Sequence, residues 1–304
     1  MCWIACRGFT RMKTVGIIGA DSMLGKALKL QLQGLGLNVI SIGRAKHNDI
    51  AFDLLQSSSQ PVSDKFKIDV AFHCASSFAG DDRDGIRLNF LTNTLGSLSV
   101  LDLMDQLKCQ HIVFSGSIWS CVGSQIPGTY TSYGLSKAEG EEILKWGIAQ
   151  RHGIFSSLRF SQLFDTEGLC CRHQPWFGRI IAYASRGLEL RLPASIKEQN
   201  FIHVSDAARL MISAAESKIS GSWPVCHYES LNNTRIAELA YREFDCGGKL
   251  VIDMDKNPFQ PVTFPEDRSI FAFLNDEVRI NMADGIAMIH HSGFSEKFGP
   301  LDVL

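Results

Sequence analysis

The amino-acid sequence predicts an α/β fold, in which a doubly wound parallel sheet is followed by a smaller C-terminal lobe. In the first half of the chain, short apolar runs alternate with helix-like stretches, a pattern typical of βαβ units. The runs are nearly all apolar, as expected of parallel strands that are covered on both faces. This rhythm weakens after about residue 165, where the second lobe is expected to begin.

Six strands are predicted before that point. They are Thr14–Ile18, Asn38–Ile42, Ile50–Leu54, Asp69–His73, His111–Ser115 and Phe155–Phe160. Between the fourth and fifth strands, leucines at positions 91, 95, 98 and 101 recur at spacings of four, three and three. This spacing places them on one face of a helix. Because such crossovers are right-handed, we expect helices on both faces of the sheet.

The second lobe gives weaker signals. Residues 168–187 predict a loop that leads into a helix, and Leu188–Leu192 and Asn200–Val204 predict two strands. A proline-rich segment follows at Asp255–Ser269, and a last helix is predicted at Asp276–His291. We expect a ligand cleft where this lobe faces the carboxyl ends of the parallel strands.

Composition narrows the classes of function. The chain has 304 residues, 45% of them hydrophobic, and a net charge of −2 without a dense run of basic residues. This balance argues against a nucleic-acid partner and a membrane-binding surface, and no apolar stretch approaches the ~20 residues that span a bilayer. The nine cysteines show neither a CxxC pair nor zinc-type spacing. We therefore expect no metal site, reduced thiols and a cytoplasmic protein.

The first predicted strand runs into a glycine loop, GADSMLG, in which Gly19 and Gly25 are six residues apart. Glycine permits the sharp turn, and a second glycine lets the following helix approach the strand closely. Free amides at the start of that helix can hold a pyrophosphate. The loop therefore predicts a Rossmann-type dinucleotide site that includes Met23 and Leu24, with Ser22 where a middle glycine is common. A turn that binds no ligand is the alternative.

A second pattern is YGLSK, in which Tyr133 and Lys137 are four residues apart and share one face of a helix. The pKa of a free tyrosine is about 10, and a neighbouring ammonium lowers it by favouring the phenolate. Such a tyrosine can transfer a proton to or from a carbonyl or an alcohol. Ser115 and Ser117 end the fifth predicted strand, on the side of the glycine loop. The alternative is a surface lysine beside a half-buried tyrosine.

Seven motifs occur in an order that resembles the extended short-chain dehydrogenases/reductases, the group of nucleotide-sugar epimerases, dehydratases and reductases. They are GADSMLG, FDL, HCAS, NTLGS, FSGSIWSCVG, YGLSK and FIHVSDAARLM. The likeness covers nearly the whole chain from Met12 onward. It implies that Ser117 holds the substrate oxygen, that Tyr133 is the general acid/base, and that Lys137 binds the nicotinamide ribose and adjusts the Tyr133 pKa.

The resemblance also implies a set of coenzyme contacts. The expected residues are Gly19, Ser22, Met23, Leu24, Gly25, Gly43, Arg44, Asp53, Leu54, Cys74, Ala75, Ser76, Asn93, Ser115, Tyr133 and Lys137. Asp53 and Leu54 would lie by the adenine, Cys74 and Ala75 along the coenzyme, and Asn93 in a helix behind the site. Alternatively, Asn93 binds backbone groups only.

The domain organisation follows from the same comparison. We expect residues 12–165 to form the dinucleotide-binding domain, with residues 199–225 packing back onto it. Residues 166–198 and 226–304 would form the substrate-binding lobe. Residues 1–11 would be an extension outside the fold.

Two departures from the family pattern concern the substrate. Many family members carry Arg-Asp before the FIHV motif and use the arginine to bind a substrate phosphate, whereas this chain has Gln199 and Asn200. The asparagine expected shortly after the arginine of the sixth strand is replaced by Gln162. Arg179 or Arg268 is the candidate replacement cation, and each is alternatively a solvated surface residue.

The expected function depends on which of the family's catalytic residues this chain keeps. The family's 4,6-dehydratases place Asp-Glu after the catalytic hydroxyl, but Ile118 and Trp119 follow Ser117, so elimination lacks its acid and base. We expect an NAD(P)-dependent oxidoreductase or epimerase that acts on a carbonyl or alcohol carbon of a nucleotide sugar. The alternatives are a reductase of a non-nucleotide ketone or aldehyde, and a non-catalytic NADP-binding sensor. The resemblance also implies a homodimer through helices near Asn93–Leu107 and Ser132–Arg151.

The coenzyme type is predicted from the end of the second strand. An acidic residue there favours NAD, because it binds both ribose hydroxyls and repels a 2′-phosphate. The position eighteen residues after Gly25 is Gly43, followed by Arg44, with Lys46 and His47 close by. A guanidinium binds a phosphate through two parallel hydrogen bonds. The sequence therefore predicts NADP(H) rather than NAD(H), and an exposed basic loop is the alternative.

Overall fold

The computed structural model describes most of the chain. The described residues are 12–56, 62–121, 131–194, 197–256 and 264–301. The expected extension at residues 1–11 lies outside them.

The strands are numbered in chain order. They are β1 (Thr14–Ile18), β2 (Asn38–Gly43), β3 (Ile50–Ala51), β4 (Val70–His73), β5 (His111–Ser117), β6 (Ile154–Phe160), β7 (Gln162–Phe164), β8 (Leu190–Pro193), β9 (Glu198–His203), β10 (Gly221–Val225), β11 (Ser230–Asn232) and β12 (Leu250–Asp253).

A seven-stranded sheet forms the centre of the molecule, in the order β10-β6-β5-β4-β1-β2-β3. Every pairing in it is parallel. The chain starts in the middle with β1, proceeds to one edge, and then returns to build the other side from β4. This reversal leaves a crevice at the carboxyl ends of β1 and β4, where ligands bind in doubly wound folds. The predicted fold class is confirmed.

The helices are likewise numbered in chain order. They are α1 (Met23–Gly34), α2 (Arg83–Asn89), α3 (Gly96–Gln106), α4 (Ser132–Gln150), α5 (Pro175–Ala184), α6 (Val204–Ser217), α7 (Asn233–Phe244), α8 (Ser269–Leu274) and α9 (Met282–Ser292). A π-helical segment, Phe90–Leu95, joins α2 to α3. Within the described ranges, no helix has the length and apolarity that a membrane crossing requires.

The helices cover both faces of the main sheet. On one face, α1 and α6 pack together through buried residues such as Leu28 and Met211. On the other, α3 and α4 pack together, and Leu103 and Leu144 enter a second core there. This layered arrangement buries the apolar parallel strands from both sides, as their sequences predicted.

The second lobe has its own core and two small sheets. One sheet has the order β11-β9-β7, and the other pairs β12 with β8. Phe164, Phe177 and Ile236 are fully buried in its core, which α5, α7 and α9 build. Residues from 199–225 contribute to both parts of the molecule, since β9 belongs to a small sheet whereas α6 and β10 pack onto the main one.

The structure shifts three predicted elements. The strand expected at Ile50–Leu54 ends at Ala51, and Asp53 Oδ1 then accepts a hydrogen bond from the Leu55 amide at 3.1 Å in a turn. The strand expected at Asn200–Val204 ends at His203, which caps α6. The helix expected at Asp276–His291 starts only at Met282, because the Asn281 side chain caps its first turn.

The leucines spaced along the π-helical segment and α3 differ in environment. Leu101 is buried, but Leu91, Leu95 and Leu98 are 44%, 53% and 48% exposed. We call these three residues the exposed leucine stripe. The spacing therefore identified a helical face, and most of that face is open to solvent.

Candidate active site

A cavity of about 1020 Å³ lies at the carboxyl edge of the main sheet. Its walls come from the ends of β1, β2, β4, β5 and β6, from the start of α4, and from the second lobe near α5. This is the crevice that the strand order creates. Its size is that of a large ligand pocket.

The glycine loop forms one end of the cavity. Gly19 has φ +85°, and a side chain there would collide with the Ala75 backbone. Gly25 lies directly against the Gly19 carbonyl oxygen, so it also has no room for a side chain. Ser22 caps α1, and its Oγ accepts a hydrogen bond from the Gly25 amide at 3.0 Å. The close approach expected of two glycines is therefore present, and a serine completes the turn.

Most of the sequence-predicted coenzyme residues line this cavity. Those that do are Gly19, Ser22, Met23, Leu24, Gly43, Arg44, Asp53, Leu54, Cys74, Ala75, Ser76, Ser115 and Tyr133. Gly25, Asn93 and Lys137 do not line it and lie behind its wall. These residues fit a dinucleotide, because Gly19 lines the cavity in a tight turn and Gly25 lets the start of α1 approach that turn closely.

The loop after β2 places basic groups beside the glycine loop. Among the described residues, the exposed guanidinium of Arg44 has no hydrogen-bond partner and lines the cavity. His47 instead lies 2.7 Å from Asp21, whose other oxygen accepts from Asn48 at 2.8 Å. These two contacts lower the pKa of Asp21, and the hydrogen bond from Asn48 has the larger effect. Arg44 is therefore the cation of this loop that remains available for an anionic ligand.

Asn93 is a positioning residue. Its side chain accepts from the Ser77 amide at 2.8 Å and donates to the Ser77 carbonyl at 3.0 Å. It also donates to Ser136 Oγ at 3.0 Å. Asn93 thus ties the loop after β4 to α4, and its contacts include the backbone groups that the alternative interpretation proposed.

Ser117, Tyr133 and Lys137 lie close together, as predicted from the spacing of the tyrosine and lysine and from the place of the serine at a strand end. Thr131 caps α4 by accepting a hydrogen bond from the Gly134 amide at 3.1 Å. This fixes the first turn of α4, which places Tyr133 close enough to Ser117, at the end of β5, for the serine hydroxyl to lower the pKa of the tyrosine. One turn later, the buried Lys137 Nζ donates to the Ser115 carbonyl at 2.7 Å. Ser117 and Tyr133 both line the cavity.

The pKa of Tyr133 differs from the expected direction. Burial raises it, and the hydrogen bond with Ser117 opposes the rise only in part. The expectation of a lowered Tyr133 pKa is therefore wrong. Burial also lowers the pKa of Lys137 to about 8, and the negative charge of Glu141 limits that fall.

Glu141 is a functional-site residue that sequence reasoning missed. It is completely buried, accepts from Ser157 Oγ at 2.9 Å, and forms an ion pair with Arg159 at 2.8 Å. The signal was present, because Tyr133, Lys137 and Glu141 continue the same spacing of four along α4. Its carboxylate supplies the charge that keeps the buried lysine protonated over a wider pH range.

The second-lobe end of the cavity is aromatic and polar. The Phe78 ring lies 4.4 Å from the Tyr133 ring and 5.2 Å from the His173 ring, measured between centroids. Trp119, Gln162, Arg172 and Gln174 also line this end. Of the substrate residues proposed from the sequence, Gln162 lies in the wall. Arg179, Gln199 and Arg268 do not line the cavity. Arg172, His173 and Gln174 do line it, and the sequence did not single them out individually because their loop has no recognisable motif.

The described part of the chain contains no group of three or more His, Cys, Asp or Glu side chains arranged to hold a metal ion. The cavity wall brings together the hydroxyls of Ser117 and Tyr133 and the glycine loop, and the buried Lys137 lies behind it. Together with the doubly wound sheet, these features define a dinucleotide-binding α/β protein with a short-chain-dehydrogenase type of site.

Comparison with known families agrees with this class. The model of the NAD dependent epimerase/dehydratase family matches residues 15–225. The chain belongs to this family. Membership supports an enzyme of the nicotinamide-dependent class, whereas a search of curated proteins gave no match.

Several solved structures share the fold. UDP-N-acetylglucosamine 4-epimerase from Bacillus cereus is 20% identical with a TM-score of 0.73, over 96% of this chain and 99% of that chain. UDP-glucose 4-epimerase from Thermotoga maritima, solved with UDP-glucose, is 14% identical with a TM-score of 0.72, over 93% of this chain and 99% of that chain. UDP-glucose 4-epimerase from Thermus thermophilus, solved with NAD, is 16% identical with a TM-score of 0.70, over 92% of this chain and 99% of that chain. At these low sequence identities, the likeness shows a shared fold and no more.

Proposed function

We propose that this protein is an NAD(P)-dependent epimerase or reductase that acts on a carbonyl or alcohol carbon of a nucleotide sugar. The observation that carries the proposal is the pairing of the Ser117 and Tyr133 hydroxyls in the wall of the cavity, with Lys137 one helical turn behind. The family supports the reaction class, and the UDP-sugar enzymes with the same fold support the substrate class.

The proton chemistry follows from the two hydroxyls. Ser117 Oγ accepts from the Trp119 amide at 3.2 Å, which leaves its hydroxyl proton to be donated, either to Tyr133 or to a developing oxyanion of the substrate. Tyr133 transfers a proton to the substrate oxygen when a carbonyl is reduced, and removes one when an alcohol is oxidised. When bound, the nicotinamide ring accepts or supplies the hydride. An epimerase performs both half-reactions in turn and consumes no coenzyme, whereas a reductase performs one.

The preferred coenzyme in this proposal is NADP(H). The support is the Arg44 guanidinium, which lines the cavity near Gly43 and has no hydrogen-bond partner among the described residues. The last residue of β2, where an acidic residue would bind both ribose hydroxyls, is Gly43.

A second candidate function is the reduction of a non-nucleotide ketone or aldehyde. The observation that favours it is the aromatic lining of the second-lobe end, where Phe78 and Trp119 face the cavity while Gln199 replaces a phosphate-binding arginine. Arg172 is a cation of this region that could bind a diphosphate. A non-catalytic coenzyme sensor on the same fold is a third possibility, and the intact Ser117–Tyr133–Lys137 set counts against it.

The test is turnover with a defined substrate panel. The protein is incubated with NADP⁺ or NADPH and with UDP-glucose, UDP-N-acetylglucosamine and a set of non-nucleotide ketones, and the products are separated by mass spectrometry. We expect an epimer or a reduced product from a nucleotide sugar. Turnover of non-nucleotide carbonyls alone would establish the second candidate. Coenzyme binding without turnover of any compound would establish the sensor.

The quaternary structure belongs to the same proposal. We propose a homodimer formed through α3 and α4, which pack against each other within one chain. The support is the exposed leucine stripe, together with Trp146 of α4, which is 61% exposed. A cytoplasmic location stays a prediction from the cysteine pattern.

A further inference from the structure

Arg172 is a cation at the second-lobe end of the cavity wall. It lines the cavity and is exposed, and it makes no hydrogen bond or ion pair with any described residue. Arg179 and Arg268 lie outside the wall. Arg268 donates instead to the carbonyls of Pro265 and His227, at 3.1 and 3.4 Å. Among the described residues, Arg172 is therefore the arginine that the second lobe presents to a ligand.

The backbone that carries Arg172 is held in place by a buried aspartate. The Asp165 side chain is 4% exposed and accepts hydrogen bonds from the backbone amides of Glu167, Leu169 and Cys170, at 3.1, 3.2 and 2.9 Å. These bonds fix the start of the 3₁₀ turn that ends at Arg172. A fixed backbone beneath an unbonded guanidinium reduces the entropy that is lost when a ligand binds.

The charges around Arg172 favour an anion. The carboxylates among the described lining residues are Asp21 and Asp53, and neither comes from the second lobe. Beside Arg172, burial and then the charge of the arginine lower the pKa of His173, so the imidazole is neutral at neutral pH. The positive charge at this end is therefore that of the guanidinium, which binds a phosphate or a carboxylate through two parallel hydrogen bonds.

Ring contacts connect this arginine to the candidate catalytic tyrosine. The ring of His173, the residue next to Arg172, lies 5.2 Å from the Phe78 ring, measured between centroids. The Phe78 ring lies 4.4 Å from the Tyr133 ring. One substrate can therefore contact Tyr133 at its reacting carbon and Arg172 through another group.

We propose that Arg172 binds an anionic group of the substrate and selects substrates that carry one. The inference rests on the proposed function, under which that group is the diphosphate of a nucleotide sugar. It assigns the cation to a different position from the one expected in the family, because Gln199, which stands in place of that arginine, does not line the cavity.

The experiment compares ligands with and without the anionic group. Coenzyme-loaded protein is titrated by calorimetry with UDP-glucose, with UDP, with uridine, which lacks the diphosphate, and with benzoylformate and its neutral methyl ester. The variants are Arg172→Gln, which removes the charge, and Arg172→Lys, which keeps the charge but not the planar pair of donors. The control is Arg242→Gln, because Arg242 is also an exposed arginine of the second lobe but does not line the cavity.

In the wild type, we expect UDP to bind at least roughly tenfold more tightly than uridine. In Arg172→Gln that ratio should fall roughly tenfold or more, in Arg172→Lys it should be intermediate, and in Arg242→Gln it should equal that of the wild type. NADPH affinity should stay unchanged in all of them. A wild type that does not prefer UDP, or an unchanged ratio in Arg172→Gln, would overturn the inference. An equal loss of NADPH affinity would also overturn it, by assigning the arginine to the coenzyme.

Failure of the nucleotide-sugar proposal would give a different result. If the wild type binds the benzoylformate pair but neither UDP-glucose nor UDP, that proposal is wrong, and the preference for benzoylformate over its ester decides the inference. A preference that Arg172→Gln loses would support the inference with a carboxylate as the anion. A preference that is absent, or unchanged in Arg172→Gln, would overturn it. Binding of neither set of ligands would contradict both proposals.

Discussion

At the scale of single residues, the environment of Tyr133 sets its starting role. Burial raises its pKa above the usual value of about 10, so the phenol carries its proton at neutral pH. A protonated tyrosine near Ser117 can donate to a carbonyl oxygen, which the reducing half-reaction of the proposed function requires.

The buried ammonium of Lys137 should appear in the pH dependence of stability. Its pKa falls from 10.5 to about 8 on folding, so between these values the unfolded chain binds more protons than the folded one. The contribution of Lys137 to the free energy of unfolding should therefore rise as the pH increases from 8 towards 10, while the buried thiols of Cys74, Cys109 and Cys226, whose pKa burial raises, act in the opposite direction in both the wild type and Lys137→Met. Lys137→Met should lack this rise. Urea denaturation of both proteins across that range is the measurement, and parallel curves would contradict a buried, shifted lysine.

How far the sequence predicts residues depends on whether their signal is local. Tyr133 and Lys137 were found because a spacing of four on a helix is visible in the chain, and Gly19 because a turn requires its backbone. Gln174 and Arg172 could not be found, because their loop has no periodicity and reaches the cavity only through the packing of the second lobe. The Tyr133 pKa was mispredicted because burial, which the sequence does not give, outweighs the charge of a nearby lysine.

At the scale of elements, the glycine loop offers a matched pair of substitutions within α1. Gly25→Ala places a methyl group against the Gly19 carbonyl oxygen, whereas Gly34 has no heavy atom near its added methyl. We expect Gly25→Ala to destabilise the protein by ~1–3 kcal/mol and to reduce coenzyme affinity. Gly34→Ala should stabilise by ~0.5–1 kcal/mol. Thermal unfolding with and without NADPH measures both, and equal behaviour of the two variants would contradict the close helix–strand approach.

The loop after β2 carries the coenzyme preference. We expect Arg44→Ala to weaken NADPH binding by ~1.5–3 kcal/mol, the range for charged hydrogen bonds, and to leave NADH binding nearly unchanged. Lys46→Ala is the control, because Lys46 belongs to the same loop but does not line the cavity. Titration of both coenzymes gives the answer. Tighter binding of NADH than NADPH by the wild type would reject the NADP assignment.

The sequence predicted buried strands better than short or half-exposed ones. The central strands were found because both faces are covered and their residues are nearly all apolar. The strands β7, β11 and β12 were missed because they are short, with three or four residues, and mostly half-exposed. The strand β10 was missed because Pro224 occupies it, which is tolerated since β10 lies at the edge of the main sheet.

At the scale of the whole molecule, the exposed leucine stripe gives the proposed dimer a test. We expect Leu95→Glu to convert the dimer to a monomer, because a carboxylate would be desolvated at the apolar interface. Leu30→Glu is the control, since Leu30 of α1 is 74% exposed but lies outside the stripe. Analytical ultracentrifugation should give twice the mass of one chain for the wild type and the control. A wild-type monomer, or a dimeric Leu95→Glu, would reject this interface.

If Tyr133 transfers the proton in a nicotinamide-dependent reaction, Tyr133→Phe should remove that step alone. The substitution removes one oxygen and leaves the ring against Phe78. With the substrate that the turnover panel identifies, the rate should fall by ~10²–10⁴, while NADPH titration should give nearly the wild-type affinity. A rate within threefold of the wild type would contradict the account.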